Sequence, residues 1–212
     1  MQKPTSDDVR PNIRGDIVTL IDLALSIGWE GVREPSISRI LYLAGVLYSF
    51  MYSDKRNPFS EHYHFSVEPT GPYSNDVKSS ITFLDSNEYI SRIKENIYAL
   101  GTNPLPHIST LPDHEIKKQW MKTILYILGT YGEGKIYEFV IRDPQYQDNM
   151  ERNLISEINI GPDNESLRTL NQFKSSFEES LGTKAKQIDA NKYLELYFEY
   201  VFSKVLKGEI KL

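Results

Sequence analysis

The sequence predicts a mainly α-helical chain of the α+β kind, and three observations carry that prediction. Long stretches at 13–27, 35–48, 113–131 and 167–181 repeat their apolar residues with the helical period. One compact strand-like pair, Tyr89–Ile93 and Ile97–Leu100, is joined by the polar turn Lys94-Glu95-Asn96. Gly, Pro and Asn-Pro steps mostly fall between the periodic stretches.

Taken in order, residues 1–11 read as a loose tail with Asp7, Asp8 and two prolines. Ile13, Ile17, Leu20, Ile21, Ala24 and Leu25 then line one face of a helix to Ile27, and Gly28 suits its stop. A second helix opens at Pro35, where the missing N–H costs nothing, with Ile40, Leu41, Ala44, Leu47 and Tyr48 on one face. Asn57-Pro58 breaks it. His62, His64 and Ser66 alternate with Tyr63, Phe65 and Val67 as in a short strand, and Thr70-Gly71-Pro72 reads as a turn. Ser74 caps a helix from Asn75 to about Asp85, with Val77, Ile81 and Leu84 inward. The order helix, helix, strand, helix, hairpin is that of a winged helix–turn–helix with a small β wing over residues 1–102.

Asn103 to Pro112 holds three prolines and reads as a linker. Residues 113–212 predict a mostly helical extension packed on the first part. Its first helix, Asp113–Tyr131, places Ile116, Trp120, Ile124, Ile127 and Leu128 on one face, and Gly132 and Gly134 bracket its end. Lys135–Ile141 is short and apolar, helix or strand, ended by Asp143-Pro144. Residues 150–162 are irregular, with a strand at Leu154–Ile160. Helices follow at Leu167–Leu181, stopped by Gly182, and at Ala190–Leu206, which is apolar nearly all round.

Composition narrows the function. The 212 residues are 40% hydrophobic and 25% charged, enough for a core. With no cysteine, thiolate zinc sites, disulfides and cysteine nucleophiles are excluded. The net charge is −5, and Lys plus Arg against Asp plus Glu stand at 10 to 13 in the first 110 residues and 14 to 16 in the rest. No basic half is present to grip a phosphate backbone. The longest apolar run, Ile40–Tyr52, is shorter than the ~20 residues of a membrane span. No secretory signal is visible, so a cytoplasmic chain without a membrane partner is expected.

Candidate chemistry is sparse. His62 and His64 would share a strand face, half of a metal site without a third ligand at recognisable spacing. Gly129 to Lys135 lacks the spacing of a phosphate loop, and Ile136 stands where Ser or Thr is needed. Asp143-Pro144 is followed by no Glu-x-Lys. The expectation is a non-enzyme without metal or cofactor.

Two stretches carry a resemblance. Phe65-Ser66-Val67-Glu68-Pro69-Thr70-Gly71-Pro72-Tyr73-Ser74, with Asp76, Ile81, Leu84 and Glu88-Tyr89-Ile90, and Gly134 through Tyr146, together resemble the middle component of prokaryotic ABC-three-component systems. That component is related to the small subunit of Lamassu-type antiphage systems. The resemblance implies a winged-helix accessory subunit that bridges or stabilises a complex of an SMC-like ATPase and an effector, often a nuclease. DNA is implied within such a complex.

Two kinds of contact residue follow. The helix Asn75–Asp85 offers Lys78, and the wing offers Arg92 and Lys94, few cations for a base or phosphate reader. Aromatic surface suits docking to a protein, at Tyr73 and Tyr89 near the wing and at Tyr197, Phe198, Val201 and Phe202 on the last helix. The rival expectations are a DNA-binding regulator or antitoxin-like protein, and an enzyme with no recognisable motif.

Overall fold

The first apolar stripe becomes α1 (Ser6–Ser26), whose Ile13, Ile17, Leu20, Ile21 and Ala24 are buried. The computed structural model describes residues 6–68, 71–141, 150–152, 157–158, 160–161 and 163–206. Helix α1 thus begins inside the stretch expected to be a loose tail. Pro11 lies within it, and one early i→i−4 bond is forgone there. A two-residue strand, β1 (Val32–Arg33), leads into α2 (Glu34–Met51), with Pro35 in its first turn.

Helix α2 is the centre of the fold. Every residue from Ile40 to Phe50 is buried, along with Ser36 and Ile37, so neighbours cover it on all sides. Helix α4 (His114–Tyr131) packs on it and on α1, and α6 (Glu165–Leu181) packs on it from the C-terminal part. At Gly45 a Cβ would stand 2.6 Å from Ile160 Cδ1 and 3.2 Å from Ile160 Cβ, so any larger residue would require Ile160 to shift. Most of the buried apolar residues among those described form one cluster running from Ile13 to Val201.

Residues 52–68 and 71–74 fold as an insertion between α2 and α3. Asn57 fixes its first part: Nδ2 donates to Gly45 O and to Ser49 Oγ, both at 2.8 Å, and Oδ1 accepts from the Phe59 N–H at 2.9 Å. Strand β2 (Phe65–Glu68) pairs antiparallel with β3 (Gly71–Tyr73) on one side and β6 (Glu157–Ile158) on the other. The stretch expected to be a turn at Gly71-Pro72 is therefore the start of an edge strand, the place where proline is tolerated. His62 and His64 do not share a strand face: β2 starts at Phe65, His62 is buried in the preceding turn, and exposed His64 Nδ1 lies 2.7 Å from Glu157 Oε1.

Helix α3 (Asn75–Ser86) starts at Ser74, whose Oγ accepts from the Val77 N–H, and buries Val77, Ile81 and Leu84. Strands β4 (Ile90–Lys94) and β5 (Ile97–Leu100) form the expected hairpin, with Asn96 at positive φ in the turn. Strand β1 adds to the free edge of β5, giving the antiparallel order β1-β5-β4.

Beyond α4, the short apolar run at 135–141 is helical, in α5 (Glu133–Ile141). Of the expected strand Leu154–Ile160, Glu157–Ile158 is seen as β6, and residues 154–156 and 159 lie outside the described residues, as does Asp143-Pro144. Asn164 caps α6, its Oδ1 accepting from the Leu167 N–H at 2.9 Å. Helix α7 (Ala190–Leu206) packs on α4 and α6. The described residues are mainly helical with two small antiparallel sheets, an α+β arrangement. No described helix is long and apolar enough to cross a membrane.

Candidate docking surface

Most of the contact residues expected on the last helix are not at a surface. Tyr197, Phe198 and Val201 are completely buried, and Phe202 is half-buried. Their rings close on partners from this chain: Tyr197 meets Phe50 and Phe177, and Tyr131 of α4 meets both Phe198 and Phe202. The Tyr197 hydroxyl donates to Leu170 O, and burial holds its pKa well above the ordinary tyrosine value. The expectation that Tyr197, Phe198 and Val201 meet a partner is corrected: α4 and α6 cover them within the chain, whereas half-buried Phe202 keeps part of its ring open.

The residues expected near the wing have mixed positions. Tyr73 is half-buried beside a cleft of about 210 Å³ that Glu34, Pro72 and Ile81 also line, with Lys78 Nζ 5.9 Å from its ring centre. Tyr89 is half-buried and stacks on Phe83 at 6.3 Å, and the Arg14 guanidinium covers Phe83 at 3.6 Å. Arg92 donates to the Tyr98 hydroxyl at 2.8 Å and lies 3.6 Å from Asp85. Lys94 donates to Glu30 at 2.8 Å, a contact that raises the lysine pKa and lowers that of the glutamate. Both wing cations thus stand against acids of the same chain.

The two stretches that carry the family resemblance meet in space. Gly71 has φ +119°, and a Cβ there would collide with the Tyr137 hydroxyl of α5. Arg39 of α2 lies under the Tyr137 ring at 4.7 Å and 3.4 Å from Glu133, which also accepts from Ser36 Oγ at 2.9 Å. The motif therefore fastens β3 and α2 to α5, which is a structural task.

The largest exposed apolar side chains of α4 point the other way. The sequence pattern placed Ile116 inward, but it is 52% exposed, and the next residue, Lys117, is fully buried. The reason is an ion pair. Lys117 Nζ lies 2.8 Å from each carboxylate oxygen of Asp16, and the Tyr63 hydroxyl donates to Asp16 Oδ2 at 2.9 Å. Burial pushes the Asp16 pKa up, and Lys117 and Tyr63 partly offset this. Burying the ammonium fixes the rotation of α4, with Trp120, Ile124 and Leu128 facing the core. Trp120 Nε1 then donates to Ala44 O at 2.7 Å.

That rotation leaves Ile116, Gln119, Thr123, Tyr126 and Thr130 on the outside, at steps of three, four, three and four. This is the spacing by which one helix meets another along a seam. Two adjoining clefts of about 530 Å³ each share Gln119 and Thr123. Tyr48, Tyr52 and Ile116 line the first; Ile27, Trp29 and Tyr126 line the second. Tyr126 is 48% exposed and Ile27 46%. Lys55, which covers the Tyr52 ring at 4.7 Å, and Lys122 stand on the rim, with Glu115 as the acid among the lining residues. Sequence reasoning missed this surface, although the repeated three-four step from Ile116 to Thr130 is legible once α4 is known to have a second face.

Among the described residues, no three His, Asp or Glu side chains gather in a geometry for a metal ion. Comparison with protein-family models, with curated proteins and with solved structures returned no match.

Proposed function

We propose that the chain is a non-catalytic accessory subunit, a winged-helix module that joins a larger assembly by seating a partner helix on the outer face of α4. The order α1-β1-α2-α3-β4-β5 with sheet order β1-β5-β4 supports the winged-helix reading. The insertion at 52–74 departs from it, because a helix–turn–helix joins its helices by a few residues. The observation that carries the docking reading is the unpartnered seam from Ile116 to Thr130, with exposed Tyr126 and Ile27 beside it. Tyrosine and tryptophan, abundant around this seam, supply much buried area for few rotatable bonds. Lys55 and Lys122 on its rim favour an amphipathic helix flanked by Asp or Glu. The resemblance supports an SMC-like ATPase and its effector as the partners, in prokaryotic antiphage or anti-plasmid defence in the cytoplasm.

A DNA-binding regulator is the second reading. The paired state of Arg92 and Lys94 counts against it, leaving Lys78 as the exposed cation of α3. The test is co-purification with an SMC-like ATPase, for the parent and for a variant carrying Ile116→Asp and Tyr126→Ala, with duplex DNA binding measured in parallel. Loss of the ATPase by a variant that stays folded supports docking through α4. Undiminished co-purification, or nanomolar sequence-specific DNA binding by the chain alone, refutes it.

A further inference from the structure

The outer face of α3 is polar along its length. Asn75, Ser79, Thr82 and Ser86 recur at steps of four, three and four; Ser79 is half-buried and the others are exposed. The Ser79 and Thr82 hydroxyls donate to the carbonyls of Asp76 and Lys78, both at 3.1 Å, and so are turned back on their own helix. The one exposed apolar side chain of α3 is Phe83, and the Arg14 guanidinium covers its ring at 3.6 Å. A protein-docking face has an apolar centre, and this face has none.

Cations flank this polar row on both sides. Toward α1, the neighbouring row of α3 is Asp76, Ser80 and Phe83, and two arginines one turn apart on α1 meet it. Arg10 Nε lies 3.9 Å from Asp76 Oδ1, and Arg14 stacks on Phe83. On the far side stands exposed Lys78, two residues from Asp76 and so nearly opposite it at ~3.6 residues per turn, with Nζ 5.9 Å from the Tyr73 ring centre. Among the described residues, neither Arg14 nor Lys78 has an acid within ion-pair reach. Stacking holds the Arg14 guanidinium in place without using its hydrogen-bond donors. Burial and the like charge of Arg10 lower its pKa, a cost that an anion would relieve. A neutral polar helix face between two cation positions suits nucleic acid, whose protein contacts are polar and positively charged. We infer that α1 and α3 together rest on duplex DNA, Arg14 taking a backbone phosphate on one side of α3 and Lys78 a phosphate on the other. The contact is sequence-neutral, because phosphates carry no sequence information and the α3 hydroxyls are turned to their own carbonyls. It is also weak, because Asp76 and Asp85 stand on the same helix and the chain carries a net charge of −5. The wing cations take no part, since Arg92 and Lys94 stand against Asp85 and Glu30. This contact is separate from docking through α4 and does not rest on it.

The probe is a fluorescent mixed-sequence DNA duplex titrated with the full chain and read by anisotropy. The parent is expected to bind in the micromolar range at low salt and to lose roughly tenfold in affinity between about 50 and 200 mM salt, as about two phosphate contacts imply. A duplex of unrelated sequence should bind equally. Arg14→Gln and Lys78→Gln should each weaken binding severalfold and flatten the salt slope by about one. Arg14→Lys keeps the charge but not the planar stack, so it should keep the parent slope, whereas a purely structural arginine would not be rescued by lysine. Lys186→Gln, at an exposed cation beyond the end of α6, removes the same net charge and should leave the slope unchanged. Melting temperatures show which variants stay folded. No binding at low salt, slopes unchanged in both the Arg14 and Lys78 variants, or an equal loss in Lys186→Gln would overturn the proposal. So would binding of poly-L-glutamate that the duplex does not displace, which would assign the face to an acidic protein.

Discussion

Helix α7 and the outer face of α4 form an instructive contrast. Helix α7 is the most aromatic stretch of the chain, yet Tyr197, Phe198 and Val201 are completely buried. Helix α4 shows fewer aromatics, yet it leaves Ile116 and Tyr126 about half in solvent. The density of apolar residues measures how much surface must be covered, and it is silent about which chain covers it. What marks a docking face is apolar area left over after the chain's own elements have packed.

The largest expected effect tests the buried side of that contrast. Phe198→Ala should cost ~3–5 kcal/mol of stability, the usual range for a buried aromatic, read from denaturant unfolding. A cost within ~0.5 kcal/mol would mean that Phe198 is not a core residue. Lys117→Met should cost about as much, ~3–5 kcal/mol, because it strands the Asp16 carboxylate. Adding Asp16→Asn should recover part of that loss. This pair asks whether the ion pair sets the rotation of α4.

The exposed side is sharpened by Ile116→Asp with Tyr126→Ala. Stability should move by no more than ~1 kcal/mol, as for surface positions. If the proposed docking holds, partner affinity should fall by ~2 kcal/mol, about thirtyfold, measured by titration against an SMC-like ATPase that the parent chain captures. If instead the variant unfolds and Phe198→Ala does not, the assignment of the two faces is reversed.

The smallest effect is one of pH. Burial lowers the His62 pKa below 6.5, with a further push from Lys117. A lowered folded-state pKa means that the unfolded chain binds the proton first. The contribution of neutral His62 is therefore present above pH 6.5 and is lost as the pH falls through the folded value. Asp16, with its raised pKa, works in the opposite sense above its ordinary 3.8. The His62 part is isolated by the difference between the parent and His62→Leu. Melting curves from pH 7.5 down to 5 should show the variant losing less stability than the parent. Parallel curves would remove His62 from the account.

Much of the fold could be read from local chemistry. Ser74 announces α3 because its hydroxyl satisfies a free N–H, and Lys94-Glu95-Asn96 announces the hairpin because Asn96 tolerates positive φ. The parts that stayed hidden depend on distant residues. Strand β1 is two residues long and exists because β5 offers an open edge, so no periodicity reveals it. The inward face of α4 is legible at Trp120, Ile124, Ile127 and Leu128, but the same apolar spacing would put Ile116 inward, whereas Asp16, a hundred positions away, draws Lys117 into the core. Of the expected contact residues, Tyr73, Tyr89 and Phe202 remain at partly open positions, and Tyr197, Phe198 and Val201 do not.

The all-round burial of α2 has a consequence for how the chain is made. The residues that enclose it arrive late in synthesis: Ile160 packs on Gly45, and Phe50 stacks on Tyr197. A nascent chain that has extended only to the wing holds Leu43, Leu47 and Phe50 without their lids. Such long-range closure slows folding and leaves apolar surface open on the ribosome. Emergence of α7 is then the event that closes the core over α2, so this helix is the segment with most to gain from a chaperone while translation is under way.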